Sequence, residues 1–102
     1  MSASGTATLN FGSFPGASDA SLAITGQAGI LAGSLVEAWL FPAATADHSA
    51  DEHLAESIEI MVGAIVPGIG FTIFGFNFNP LSDPKGLATL LYGQWSVAWV
   101  WN

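Results

Sequence analysis

The segment ADHSADEH, residues 46–53, holds both histidines and three of the eight acidic residues of a 102-residue chain. Imidazole beside carboxylate is the raw material for metal ligation, for proton transfer and for activating a serine. A metal site would draw on His48, Asp51 and His53. Helical zinc pairs are spaced by four residues so that both rings share a face. Here the spacing is five, which at about 100° per residue turns the rings about 140° apart. Asp47, Asp51 and Glu52 lack the ligand spacing of a helix–loop–helix calcium site. Ser49, His48 and Asp47 name the members of a catalytic triad, but side chains adjoining on one turn cannot adopt triad geometry. Paired carboxylates for glycoside hydrolysis must flank a cleft, and a small domain with its acids gathered in one turn offers little cleft. No catalytic residue is assigned, and neither a metal nor another cofactor is expected.

Ser49 followed three residues later by Glu52 is the capping-box pattern, in which each residue bonds the other's backbone N–H. Asp51 and Glu52 would also sit at the positive end of the helix dipole. The segment therefore predicts a short helix near residues 49–57, with Leu54 facing inward and the acids in solvent.

The remaining chain must supply the frame for this helix, and its pattern is strand-like. Alternation with a period of two recurs in TATLNF (6–11), SLAIT (21–25), SLVEAWLF (34–41), SIEIMV (57–62), FTIFGFNF (71–78) and LLYGQWSVAWVW (90–101). Turn formers separate them: FPGASD, GQAG, a Pro67-Gly68 turn, and the loop NPLSDPKG at 79–86. About six to eight short strands at this spacing predict an all-β single domain, a β-sandwich or jelly-roll-like barrel, over residues 6–102. Residues 1–5, small and polar, read as a flexible arm.

Composition narrows the function. Half the residues are apolar, yet only one lysine and no arginine stand against eight carboxylates. Nucleic acid is excluded as a partner for want of phosphate-binding cations, and an anionic membrane surface is unattractive for the same reason. The charge-free run Ile60–Phe78 has the length of a membrane span, but its glycines, its proline and its alternation oppose a helix. So large an apolar share with so few charges leaves apolar patches on a monomer, and such patches mark contact surfaces. A homo-oligomer is expected, a trimer favoured. Phe74, Phe76, Phe78, Trp99 and Trp101 are the expected interface anchors, since aromatics are enriched in interface centres. Trp39, Trp95, Trp99 and Trp101 also allow a sugar-stacking platform, although at strand spacing core or interface comes first.

SLVEAWLFPAATADHSADEHLAE, GIGFTI and the ending YGQWSVAWVWN together resemble small virion-associated structural proteins of tailed bacteriophages. The likeness is one of overall style, spans residues 6–102 and transfers no residue roles. It implies a non-enzymatic capsid decoration or cement protein. Such a protein would be assembled in the bacterial cytoplasm, reside in the virion, and meet other virion proteins such as the major capsid protein. A tail, neck or fibre-associated subunit is the alternative within that class. A carbohydrate-binding module and a holin-like membrane protein are the alternatives outside it.

Overall fold

In the computed structural model, which describes residues 2–13, 16–55, 58–77 and 91–102, the alternating segments become six strands and one short helix. These are β1 (Ala3–Asn10), β2 (Asp19–Ile24), β3 (Val36–Leu40), α1 (Ala50–Ala55), β4 (Ile58–Val66), β5 (Gly70–Asn77) and β6 (Gln94–Trp101). They form two antiparallel three-stranded sheets, of order β1-β6-β3 and β2-β5-β4. The architecture is an all-β sandwich, two separate sheets around one core. Phe78 and the loop expected at 79–86 lie outside the described residues.

The core follows from the period of two, which sends alternate side chains to one face. From β6, Trp95, Val97, Trp99 and Trp101 point inward, and from β5, Phe71 and Ile73 answer them. The rings of Phe71 and Trp99 meet edge to face at 5.4 Å, which ties the central strands of the two sheets together. Half-buried Leu22, Ile24, Val36, Leu40, Ile58 and Ile60 close the flanks. The run Ile60–Phe78 is resolved, over its described residues, as part of the β4–β5 hairpin. Among the described residues no helix is long and apolar enough to cross a membrane.

Within the segment expected as a flexible arm, residues 3–5 belong to a strand. Ala3, Ser4 and Gly5 open β1 and pair with Trp101, Val100 and Trp99. Gly5 lets the strand lie directly on the Trp99 indole, since a Cβ there would come within 2.6 Å of the ring. Trp99 and Trp101, expected as interface anchors, are likewise corrected. Both belong to the core, because β6 is the middle strand of its sheet and its inward face is covered by β5. The Trp101 indole N–H donates to Gln27 Oε1 at 2.8 Å, which satisfies its buried polar atom. Ile30, fully buried in a loop, was not marked by any periodic pattern.

The β4–β5 register slips between Gly63 and Val66, and Ala64 there takes a φ of 53°. An L-residue in that region is strained by about 1–2 kcal/mol. Ala64→Gly should therefore raise stability by about 0.5 kcal/mol, the relief being partly offset by the extra chain entropy of glycine. A thermal melt of the variant checks it.

Candidate functional site

The ladder between β3 and β6 ends at Leu40–Val97, while β6 continues back to Gln94. The edge of β6 that β3 leaves bare is covered by residues 41–53, mostly through side chains. Ser96 C=O accepts from Phe41 N–H at 2.9 Å, and Ser96 N–H donates to His53 Nε2 at 2.9 Å. Gln94 C=O accepts from the Thr45 hydroxyl at 2.7 Å, and Gln94 N–H donates to Asp47 Oδ2 at 2.8 Å. The Ser96 hydroxyl donates to Ala43 C=O at 3.0 Å. Buried backbone groups must find partners, and the histidine segment supplies them where no strand does.

Local chemistry sets the segment in place. Thr45 Oγ1 accepts from the N–H groups of Asp47 and His48. Ser49 then caps α1: Glu52 N–H donates to Ser49 Oγ at 3.2 Å and Ser49 N–H donates to Glu52 Oε1 at 2.9 Å, both halves of a capping box. Asp51 lies exposed in the first turn. Leu54, expected inward, is 73% exposed. The inward place is taken by His53, because that position must offer an acceptor to Ser96.

Both histidines are buried, and they grip Trp95 from two directions. His48 stacks on the indole at 3.8 Å between centroids and 19° between planes, and His53 meets it edge-on at 4.9 Å and 63°. His53 is held as the Nδ1–H tautomer. Its Nε2 accepts from Ser96 N–H, so Nδ1 carries the proton and donates to Ser49 C=O at 2.7 Å. His48 differs, since Nε2 faces Tyr92 C=O at 2.6 Å and Nδ1 faces Glu52 Oε2 at 2.7 Å. A carbonyl and a carboxylate only accept, so the geometry suits the protonated ring, which would place a cation on an indole face. All four ring nitrogens are thus engaged by the protein. Among the described residues no three His, Asp or Glu side chains converge on a common point, His48, Asp51 and His53 included.

Burial is the largest influence on His48 and pulls its pKa down. The Glu52 hydrogen bond, the Tyr92 carbonyl and the charges of Glu52 and Asp47 together outweigh it and hold the pKa above the ordinary 6.5. The Ser49 N–H, then His48, holds Glu52 below its ordinary 4.5. A raised histidine pKa stabilises the fold fully below 6.5 and ceases to as pH rises through the folded value. A depressed carboxylate pKa stabilises above 4.5 and ceases to as pH falls through its folded value. The pair therefore contributes most between 4.5 and 6.5. Urea midpoints should fall as pH climbs above that window. His48→Gln should flatten the fall, and Glu52→Gln should shrink or reverse it, because burial, the largest influence on His48, is then less opposed.

The outer faces of the sandwich are the second feature. Along β3, Leu35, Trp39 and Phe41 are exposed beside Glu37. Trp39, 44% exposed, lies across from Ala98. On the other sheet, Phe74 and Phe76 stand next to each other on the outer side of β5. Ser21 and Met61 flank Phe74, and Asp19 and Glu59 flank Phe76. Phe74 is 39% and Met61 53% exposed. A groove of about 470 Å³ runs here, with the inward-facing Ala20, Gly75 and Val62 contributing its floor. Of the expected anchors, Phe74 and Phe76 lie together on this surface.

Comparison with protein-family models, with curated proteins and with solved structures returned no match.

Proposed function

We propose that the protein is a non-enzymatic structural subunit of a tailed-phage particle, a decoration or cement protein that associates symmetrically, as a trimer in the favoured form, and docks on the capsid shell. A tail, neck or fibre-associated subunit is the same reading at another place in the particle. The observation that carries it is the pair of apolar outer faces, one along β3 and one along β5, on a sandwich whose core is already filled. A cement subunit needs two contact surfaces, one for its own copies and one for the shell. The β3 face suits self-association, because it presents Leu35, Trp39 and Phe41 with a single carboxylate, Glu37. The acidic remainder of the surface would keep the free subunit in solution until it docks. The histidine segment joins this reading as a support for β6 and not as a centre of chemistry. A sugar platform has less to stand on, since Trp95, Trp99 and Trp101 are in the core and Trp39 is the exposed one.

Light scattering on protein eluting from a sizing column, in detergent-free buffer, tests the proposal. The expected mass is a small whole multiple of the 10.5 kDa chain, three for the trimer. Trp39→Ser combined with Leu35→Ser should return it to one chain. A wild-type protein that remains a monomer at every concentration overturns symmetric association.

A further inference from the structure

The groove on the outer side of β5 has a chemistry that separates it from the β3 face. In one cross-strand row Asp19, Phe76 and Glu59 stand side by side, an aromatic ring between two carboxylates. Strands are spaced by about 4.8 Å, so the two acidic backbone positions are about 10 Å apart with the ring midway. Phe74 and Met61 continue the row above as an apolar wall. Among the described residues neither the Asp19 nor the Glu59 carboxylate has an ionic or hydrogen-bond partner.

We propose that this groove receives a cationic side chain, an arginine or lysine flanked by apolar residues, from a different protein. The cation would lie over the Phe76 ring, where the quadrupole attracts it, with a carboxylate on either side and its aliphatic stem against Phe74 and Met61. A planar guanidinium suits this arrangement best, because it stacks and bonds carboxylates with the same group. A second copy of this chain is the poorer occupant. The sequence holds one lysine and no arginine, its two histidines are buried in the fold, and its net charge is −7. Copies meeting through this face would set carboxylates against carboxylates. The inference rests on the assembly reading above, and it names the chemistry of the surface on the shell or other partner that this face meets.

The test uses two blocked pentapeptides, Gly-Leu-Arg-Leu-Gly and the same peptide with citrulline, which keeps the shape of arginine without its charge. Each is titrated into the 15N-labelled whole protein. The amides of Ala20, Met61, Gly75 and Phe76 should shift with the arginine peptide. The citrulline peptide should bind about tenfold more weakly, the combined worth of one cation–π contact and two exposed ion pairs. Asp19→Asn with Glu59→Gln should cut the preference for arginine to the about twofold to fivefold that the cation–π contact with Phe76 alone supplies, while leaving amide positions elsewhere unchanged. Equal binding of the two peptides, shifts centred elsewhere, or no shift up to the solubility of the peptide would overturn the proposal. So would groove amides that move with protein concentration alone and stop doing so in Phe74→Ser, which would give the groove to a second copy. The mass measurement is read independently, so a monomer that still prefers the arginine peptide sinks the symmetric reading and not this one.

Discussion

Trp95→Ala lowers the stability of the protein by about 3–5 kcal/mol, the usual range for emptying a buried aromatic site. The upper part of that range is expected, because the indole is a shared support as well as core volume. It carries the stacked His48 ring, meets His53 edge-on, and donates through Nε1 to Tyr92 C=O at 3.2 Å, the carbonyl that His48 also uses. Without it the His48 ring loses its aromatic face, and the hydrogen bonds from residues 45–53 to Gln94 and Ser96 lose their backing. Domains of this kind are stable by only about 5–15 kcal/mol in total, so the variant should sit near the edge of folding. Trp95→Phe keeps a ring beneath His48 and gives up the N–H, and should cost about 1–2 kcal/mol. Denaturant unfolding of the two variants measures both. A loss below about 1 kcal/mol for Trp95→Ala would show that the histidine segment does not depend on the indole.

Gly70→Ala should cost about 3 kcal/mol or more, which is severe for the addition of a methyl group. A Cβ at residue 70 would lie 1.7 Å from the carbonyl oxygen of Ile24 and 2.8 Å from its carbon. Both atoms are backbone, so no side chain can rotate away. The end of β2 would have to leave β5 at the Ile24–Phe71 pair, and the bond from Gln27 N–H to Ile69 C=O would go with it. Gly68 is the control from the same turn. Its φ is 77°, yet nothing lies within 4 Å of the Cβ position. Gly68→Ala should therefore cost only the strain of a left-handed alanine, about 1–2 kcal/mol. If the two variants melt together, close packing of β2 against Gly70 is not what the site requires.

The strands and their inward faces were legible in the sequence because a period of two is a local property. Ile58, Ile60 and Val62 could be assigned inward, and Phe71 with Ile73 to one shared face, without knowing which strand neighboured which. The fate of the tryptophans depended on that knowledge. Trp99 and Trp101 are core residues because β6 is central and β5 lies across from it, a fact of strand order that alternation does not encode. The capping box was equally local, being two side chains and two N–H groups within four residues. The burial of His48 and His53 was not visible, because the rotation of 140° assumed one helix through both. His48 precedes α1, and Thr45 turns the chain there so that both rings reach the same indole. What holds them is the unpaired edge of a strand more than forty residues away, and no spacing within the segment could announce it.

That edge has a consequence for how the molecule breathes. On one side β6 is joined to β1 by a continuous register of eight residue pairs, which opens as a unit. On the other side its first residues are joined by a hydroxyl, a carboxylate and an imidazole, each on its own rotatable bonds. Such contacts let go singly. The seam at residues 43–53 should therefore open locally, below the free energy of global unfolding, which amide exchange at Gln94 and Ser96 would report. Because its members include the His48–Glu52 pair, that opening should respond to the pH of the solution as well as to the fold.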